Sequence, residues 1–474
     1  MSSSIYKIWR NHKIEELFKK HDITSNDEKE KVQDILHELK DKEVLEKSIK
    51  SFTDKMDLAH KIISWKENNI PVMPLYYDKA CIWWRWNSGK FLWEMIDEVD
   101  LMNYVTWSSP ANTINSKERS EIIQAFKQVA RANQPIEAKT SWIQFGDEVV
   151  DLETGDRFTA SSCYFLTNPL PFKLGKSEDT PNIDRIFSEW VGEDNVLLLK
   201  EIIAYCMIRD YPIHRIFCFI GSGLNGKSKY LEFLRRFIGG YNVCATELDT
   251  LLNSRFEVTR LHKKLVCQMG ETNFNEMNKT SLLKKLSGDD LINFEYKNKN
   301  PFEDKNSAKI LIATNNLPTT TDKTKGFYRR WIIVDFPNEF SEKKDILSEI
   351  PEAEYNNLGN QLIRILMDLL KKREFHNEGS IDERMAKYES KSNFLETFLK
   401  DSTIRDDDSY ITKSDFSKKF ISWCKENRHR EMSETSIGIS MKKLGISSSR
   451  KWFDWVFDGK GGQLRVWEGL KWSI

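Results

Sequence analysis

The feature that most constrains the fold of this chain is a glycine-rich loop at residues 221–228, with the sequence GSGLNGKS. It follows a short apolar run at residues 215–220, of the kind that is buried in a parallel sheet. Residues 230–237 then carry apolar side chains at helical spacing. A phosphate-binding loop requires a strand before the G-x-x-x-x-G-K-S motif and a helix after it, and this segment has both. The match at eight positions argues against a chance glycine loop. The sequence therefore predicts an α/β domain with a parallel sheet and a nucleotide-binding loop.

The residue types of the loop suit the chemistry of a nucleoside triphosphate. Glycines let backbone N–H groups curl around the β-phosphate, and the helix N-terminus faces anionic oxygens. The lysine would reach the β- and γ-phosphates, while the serine hydroxyl would bind Mg²⁺. We therefore predict ATP and Mg²⁺ as cofactors, held by Gly221, Gly223, Asn225, Gly226, Lys227 and Ser228. The motif alone does not distinguish a kinase, a transporter and a motor.

Two later apolar runs end in polar residues that could take part in hydrolysis. Residues 264–271 end in Glu271, whose carboxylate could polarise the attacking water or hold Mg²⁺ partly through water. Residues 309–314 are followed by Asn315, whose amide could orient that water or contact the γ-phosphate. Taken singly, these are also consistent with a surface glutamate and a turn asparagine. After a complete phosphate loop, the two strand ends together predict catalytic roles for both residues.

Two adjacent arginines, Arg329 and Arg330, precede another apolar run at residues 331–336. One interpretation is a pair of solvated charges. The functional interpretation is an arginine finger, which reaches the γ-phosphate bound by a neighbouring subunit and compensates the charge that develops during transfer. The sequence does not decide which of the two would be the finger.

Length and overall composition limit the classes of protein to which this chain can belong. A length of 474 residues predicts two to four domains, and a hydrophobic content of 39% is enough for real cores. The 72 basic and 72 acidic residues balance, so any basic surface must be local. Seven scattered cysteines without a C-x-x-C pair argue against zinc and against a disulfide framework. The first residues lack the apolar run of a secretory signal, and no stretch approaches the roughly 18 apolar residues of a membrane span, so we expect a soluble cytoplasmic protein with no membrane partner.

Changes in residue composition and patterning along the chain suggest its domain organisation. Aromatic β-hairpins are predicted at residues 81–93 and 142–152, with a helix at 116–132 between them. The predicted segments are a helical segment at 1–75, an α+β domain at 76–180, a helical linker at 181–212, the P-loop core at 213–345, a second helical linker at 346–400 and a C-terminal domain at 401–474.

The C-terminal segment has the pattern of a winged helix. Helices are predicted at 411–424 and 433–444, and a β-hairpin at 451–467. Residues 411–474 hold 13 Lys and Arg against 7 Asp and Glu, so this is where a local basic surface lies. Its tryptophans are expected in the core. A protein-interaction role is the alternative to DNA binding, for which the candidate residues are Ser436, Lys442, Lys443 and Lys460.

The order of these motifs resembles superfamily 3 helicases, and more narrowly their poxvirus-type and phage or plasmid primase-helicase branch. The resemblance rests on the phosphate loop, Glu271, the sequence KLSGDD at 285–290, ATNNLP at 313–318 and YRR at 328–330. It implies an AAA+-like P-loop motor, preceded by an α+β region and followed by a C-terminal winged helix. It also implies a β-hairpin that projects into a ring channel, with Lys297 and Lys299 near its tip on single-stranded DNA. An ordinary exposed lysine turn is the alternative for that cationic, turn-prone segment.

The sequence departs from that family pattern in two places. Many relatives have an acid just before the glutamate, where this chain has Gly270, so Glu271 alone would serve Mg²⁺ together with Ser228. Residues 1–75 are too short for the priming domain of many relatives and lack a paired-aspartate metal site. We therefore assign no primase activity and expect a separate primase or polymerase as a partner.

The resulting interpretation is a homohexameric, ATP-dependent DNA helicase for the replication of a virus, plasmid or integrated element. Its DNA partners would be single-stranded and forked. The first alternative is an ATP-gated initiator or loader that assembles on DNA without processive unwinding. A P-loop metabolite kinase and a non-catalytic winged-helix regulator are the others.

Overall fold

The structure, a computed structural model, describes most of the chain from residue 55 onward. The described residues are 55–64, 66–67, 70–71, 74–108, 115–221, 223–270, 276–277, 279–297, 299–340, 345–392, 394–426, 432–453 and 461–473. The amphipathic helices predicted before residue 55 lie outside them. In the part that is described, no helix is long and apolar enough to cross a membrane.

Regular elements follow one another closely along the described chain. The helices and strands up to residue 170 are α1 (Lys55–Ser64), β1 (Lys66–Glu67), β2 (Ile70–Pro71), β3 (Leu75–Tyr77), β4 (Trp83–Asn87), β5 (Leu92–Ile96), α2 (Glu98–Ser108), α3 (Ser116–Ala132), β6 (Ile136–Glu137), β7 (Trp142–Phe145), β8 (Glu148–Asp151), β9 (Arg157–Thr159) and β10 (Tyr164–Phe165). Those from 181 to 335 are α4 (Pro181–Val191), α5 (Val196–Cys206), β11 (Ile216–Ile220), α6 (Lys227–Ile238), β12 (Val243–Thr246), α7 (Leu248–Asn253), β13 (Val266–Met269), β14 (Glu276–Met277), α8 (Thr280–Leu286), β15 (Leu291–Phe294), β16 (Phe302–Lys305), β17 (Lys309–Thr314), β18 (Thr319–Thr320), α9 (Lys325–Tyr328) and β19 (Trp331–Asp335). The remainder are α10 (Glu352–Lys372), α11 (Ile381–Ser392), α12 (Phe394–Ser402), β20 (Thr403–Thr412), α13 (Lys413–Glu426), α14 (Glu434–Lys443), β21 (Ser448–Phe453) and β22 (Gly462–Trp472).

The chain divides into two compact units. Of the described residues, those from 55 to 139 together with 159–169 form the first unit, and those of 140–158 and from 170 to 473 form the second. The hairpin of β7 and β8 therefore belongs to the second unit, whereas the hairpin of β4 and β5 belongs to the first. Both hairpins and helix α3 form at the positions that the sequence predicts.

The first unit packs helices against a small aromatic sheet. Strands β3, β4 and β5 form an antiparallel sheet in which Trp86 lies opposite Trp93. The buried faces of α1 and α3 share a core with that sheet. Helix α3 begins with a capping box, in which the side chains of Asn115 and Glu118 each accept a hydrogen bond from the other's backbone N–H.

The second unit is built on a five-stranded parallel sheet. The strand order is β12-β13-β17-β11-β19, and every pairing in it is parallel. Alternate residues of β11 enter two different cores, since Phe217 and Phe219 face one cluster while Ile216 and Cys218 face the other. Burial on both faces explains why this strand is apolar throughout. The predicted parallel sheet with flanking helices is thereby confirmed.

The C-terminal part of the second unit has its own small core. Strands β20, β22 and β21 form an antiparallel sheet, against which α12, α13 and α14 pack through Phe398, Phe416 and Phe420 among others. The two predicted helices and the predicted hairpin form as α13, α14 and β21–β22. Strand β20 was not predicted, because its acidic stretch at 406–408 has the composition of a loop.

Candidate active site

The glycine-rich loop joins the end of β11 to the start of α6 at the carboxyl edge of the parallel sheet. Gly223 and Gly226 have φ values of +131° and +91°, which side chains disfavour. A Cβ atom at Gly226 would lie 2.5 Å from the indole of Trp190, and one at Gly221 would lie 2.7 Å from the Phe336 carbonyl oxygen. The path of the loop therefore requires glycine at these positions. Ser222 lies outside the described residues.

Lys227 is the first residue of α6 and is only 7% exposed. Its ammonium donates to the backbone oxygen of Gly221 at 2.6 Å and to Oδ1 of Asn225 at 2.9 Å. It also lies 3.4 Å from Oδ1 of Asn315. The ammonium is thus fixed over the loop by neutral oxygens of the chain. Ser228 follows it and is exposed in the first turn of the helix.

Asn315 comes to this edge because β17 lies directly beside β11 in the sheet. Ile220 at the end of β11 is in register with Thr314, so the residue after β17 lies next to the loop. Strand β13 is the next neighbour, and its Met269 is in register with Ile312. The carboxyl end of β13 therefore opens on the same edge. Glu271, two residues beyond β13, lies outside the described residues.

The sequence analysis did not single out Asp335, an acid that lies at the same edge of the sheet as the loop. Asp335 ends β19 in register with Ile220, and its carboxylate is 2.9 Å from the ammonium groups of both Lys387 and Lys391. Burial alone would raise the pKa of Asp335, but the two lysines hold that pKa below its usual value. An acid at the end of an apolar strand was the signal for Glu271, and the same signal applies to Asp335.

The two arginines lie at the opposite edge of the sheet from the loop. Arg330 directly precedes β19, whose Trp331 is in register with Ile216 at the start of β11. A strand of this length separates the two edges by about 16 Å, at roughly 3.3 Å per residue. An arginine at this edge therefore cannot contact a phosphate held by the loop of its own chain.

The environments of the two arginines differ sharply. Arg330 is 8% exposed, and its guanidinium donates to Ser287 Oγ at 3.1 Å, to the Lys284 oxygen at 3.2 Å and to the Gly326 oxygen. Arg329 is half-buried, and within the described ranges its guanidinium forms neither an ion pair nor a hydrogen bond. Burial and, secondarily, the charge of Arg329 lower the pKa of Arg330. Arg330 is thus engaged inside its own chain, whereas the Arg329 guanidinium has no such partner among the described residues.

The predicted hairpin forms between β15 and β16, which pair antiparallel. Its chain turns at Tyr296, whose oxygen accepts a hydrogen bond from the backbone N–H of Lys299 at 3.0 Å. Lys297 and Lys299 are both exposed at this turn, and Asn298 between them lies outside the described residues. The two predicted DNA-contacting lysines therefore lie together at the end of the hairpin.

A buried histidine, which the sequence analysis did not single out, contacts the hairpin both at its turn and on strand β16. His262 Nδ1 is 3.0 Å from the Tyr296 hydroxyl, and His262 Nε2 is 3.4 Å from Oδ2 of Asp304. Burial alone would raise the pKa of Asp304, but hydrogen bonds from His262 and the charge of Lys263 hold it well below its usual range. Thr259 exchanges hydrogen bonds with the backbone of Glu295. These contacts fix the direction in which the tip projects.

The predicted DNA-contacting residues of the C-terminal part are only partly described. Lys442 is exposed near the end of α14. Ser436 lies in the first turn of that helix, where its N–H and hydroxyl both contact the hydroxyl of the N-cap Ser433. The Lys443 side chain and Lys460 lie outside the described residues. The expectation that the tryptophans are core residues is met by Trp467 but is wrong for Trp452, which is 63% exposed on β21.

The five-stranded parallel sheet and its glycine-rich loop are consistent with a P-loop-like α/β protein. A model of a family of unknown function, DUF5906, matches residues 219–330, from β11 to Arg330. A candidate helicase of Acanthamoeba polyphaga mimivirus is 22% identical over 317 residues, which are 60% of this chain and 33% of that protein. The chain therefore spans about a third of the length of the viral protein. It is distantly similar to a viral helicase.

Solved structures of the C-terminal region of NrS-1 are also similar over most of the chain. One apo structure covers 84% of this chain and 96% of its own, with a TM-score of 0.42 and 12% identity. A second covers 80% and 85%, with a TM-score of 0.43 and 15% identity.

Proposed function

We propose that this protein is an ATP-hydrolysing DNA helicase of superfamily 3 that acts in the replication of a virus, plasmid or integrated element. The observation that carries the proposal is the convergence of Lys227 and Asn315, which come from different strands to the same edge of the sheet. The distant similarity to a viral helicase supports the same conclusion. No membrane partner is proposed, and the setting is the cytoplasm of the host cell.

The residues of the loop suit a bound nucleotide triphosphate. Gly221, Gly223 and Gly226 leave room where side chains would otherwise fill the loop, and Asn225 braces it through the Phe336 oxygen at 3.4 Å. The Lys227 ammonium would exchange neutral oxygens for phosphate oxygens, which are stronger acceptors. Mg²⁺, held by Ser228 and by Glu271 partly through water, would supply neutralisation of the phosphate charge. Asn315 would orient the attacking water.

The positions of the arginines favour a site shared between subunits. Arg329 is the better finger, because Arg330 already has three partners in its own chain. An arginine at the edge of the sheet away from its own loop can serve only the loop of a neighbour. We therefore propose a homohexameric ring in which Arg329 of one subunit faces Lys227 of the next.

The exposed hairpin tip supports DNA as the substrate of the motor. Lys297 and Lys299 would grip the phosphates of single-stranded DNA in the channel, and forked DNA would be unwound outside it. The C-terminal helices and hairpin would act as a winged helix, in which Lys442, Lys443 and Lys460 contact DNA. A separate primase or polymerase would supply the priming step.

The test compares Lys227→Ala with Lys229→Ala. Lys229 lies on the same helix, is partly exposed and pairs with Glu232 and Asp345, so its replacement controls for loss of a charge there. We expect Lys227→Ala to abolish ATP hydrolysis and unwinding of forked DNA, whereas Lys229→Ala retains both. Intact ATPase activity in Lys227→Ala would refute the proposal.

A second variant pair separates a helicase from a loader that does not unwind processively. Replacing both Lys297 and Lys299 by alanine should abolish unwinding while ATP-dependent assembly persists. Lys305, which lies on β16 away from the tip and pairs with Asp289, is the control. Undiminished unwinding in the double variant would exclude the hairpin as the translocating element.

A further inference from the structure

The hairpin of β21 and β22 presents a basic and aromatic surface that no part of the proposed ATPase uses. In the ladder, Arg450 lies opposite Arg465 and Trp452 lies opposite Gln463. Residues that are opposite or two apart in a strand share a face, so these four side chains lie on one face of the hairpin. All four are exposed. We refer to Arg450, Trp452, Gln463 and Arg465 as the ribbon face.

The two arginines of the ribbon face repel each other. Directly opposite residues of an antiparallel pair have Cβ atoms about 4.5–5.5 Å apart, and like charges there are destabilising. Among the described residues, neither guanidinium forms an ion pair or a side-chain hydrogen bond. Lys413 adds a third cation nearby, since its ammonium lies 3.9 Å from the ring centre of Trp467, two residues from Arg465 on β22; the charge of Glu434 acts on it in the opposite sense to that of Arg465. An anion between the arginines would relieve this repulsion.

The indole of Trp452 is held as an exposed platform. It is 63% exposed, which is unusual for so large an apolar side chain. A Cβ atom at Gly461, where φ is +69°, would lie 2.7 Å from Cζ2 of this ring. The ring therefore lies close to the backbone of Gly461 and leaves no room for a side chain there.

We propose that the ribbon face binds single-stranded DNA, with a phosphate between Arg450 and Arg465 and an unpaired base stacked on Trp452. A guanidinium pair suits a phosphate, because each can donate two parallel hydrogen bonds to it. An indole can stack only on a base whose face is uncovered, which favours a single strand over a duplex. An acidic peptide would satisfy the arginines but leaves the exposed indole without a role. The choice of DNA rests on the proposed function, but the site itself is separate from the ATPase.

The test measures binding of labelled oligothymidylate and of a duplex by the full-length chain, without nucleotide and at several salt concentrations. The variants are Trp452→Ala, Trp452→Phe and the double variant Arg450→Ser with Arg465→Ser. Lys400→Ala is the control, since Lys400 is exposed on α12 and pairs with Glu396. Photocrosslinking to iodouracil-substituted DNA identifies the residue that the base contacts.

We expect Trp452→Ala to weaken oligothymidylate binding about 5- to 100-fold, whereas Trp452→Phe and Lys400→Ala stay near wild type. The double arginine variant should lower the slope of log affinity against log salt by about 0.7, because the two arginines together hold one phosphate. The crosslink should map to Trp452. Circular dichroism checks folding, and Trp452→Phe remains informative if Trp452→Ala unfolds, because its crosslink should map to position 452 as well.

Wild-type affinity of both the Trp452→Ala and the arginine variants would overturn the proposal and point to a protein partner. Loss of duplex binding with unchanged oligothymidylate binding would overturn it in favour of a duplex site. The same measurements in a Lys227→Ala background distinguish a failure of the ATPase proposal from a failure of the ribbon-face proposal. Failure of the ATPase proposal leaves the binding result intact, and failure of the ribbon face leaves the ATPase intact.

Discussion

The difference between Arg329 and Arg330 gives the sharpest prediction of this structure. Arg330→Ala removes three hydrogen bonds from a nearly buried guanidinium and leaves the oxygens of Lys284 and Gly326 without that donor. An unsatisfied buried acceptor costs about 1–3 kcal/mol, so two of them, offset by relief from burying a charge, give a destabilisation of about 2–4 kcal/mol. Arg329→Ala removes no contact of this kind with any residue that the structure describes, and it relieves the repulsion that lowers the pKa of Arg330. We expect its effect on the free energy of unfolding to stay within about 0.5 kcal/mol.

The effects on ATPase activity should follow the opposite order to the effects on stability, with the larger loss in Arg329→Ala. An arginine finger contributes about 10³-fold or more to turnover, so Arg329→Ala should lose ATPase activity at least to that extent while it remains folded. Urea denaturation followed by tryptophan fluorescence measures stability, and phosphate release measures turnover in the same preparations. Arg330→Lys, which keeps the charge but not the planar donor set, should fall between wild type and Arg330→Ala in stability. An Arg329→Ala protein that is active, or an Arg330→Ala protein that is fully stable, would refute this division of roles.

Two further substitutions test the loop and the sheet. Gly226→Ala should lose ATP binding in a titration and destabilise the protein by about 1–2 kcal/mol or more, because φ is +91° and the new methyl group meets Trp190, whereas Gly240→Ala, with open space around it, should bind normally. Lys309 is buried at the start of β17, and burial lowers its pKa to about 7 from 10.5. Between these values the unfolded chain binds more protons, so the stability contribution of Lys309 is present at high pH and is lost as the pH falls through about 7. The urea midpoint of wild type should therefore rise between pH 7 and about 10 more steeply than that of Lys309→Met. If the two midpoints changed with pH in parallel, the lowered pKa of Lys309 in the folded protein would be contradicted.

The sequence predicts those parts of the structure that short-range patterns determine. The loop between β11 and α6, the helix α3 and the aromatic hairpins are each specified by neighbouring residues, and each forms where it was predicted. The proximity of Asn315 to Lys227 follows from two strands ending at one edge of a parallel sheet. This rule applies without knowledge of how the side chains pack.

Other features depend on contacts between distant parts of the chain. The burial of Arg330 depends on the carboxyl end of α8, which is more than 40 residues away along the chain. The assignment of residues 140–158 to the second unit depends on Phe145 and Ile143 joining the core of the sheet. The exposure of Trp452 depends on which residues of the hairpin join the C-terminal core, and that core includes Trp467 and Leu470 but not Trp452. Composition and periodicity do not carry this information.

The central claim is that each ATP site takes Lys227 from one subunit and Arg329 from the next. The most direct test mixes two inactive variants, Lys227→Ala and Arg329→Ala, under conditions that allow subunits to exchange. Random assembly of equal amounts places an intact loop beside an intact arginine at about one quarter of the interfaces. We predict that ATPase activity reappears in the mixture, up to about that fraction of the wild-type rate, and is absent from each variant alone. A mixture that exchanges subunits yet stays inactive would contradict a shared site.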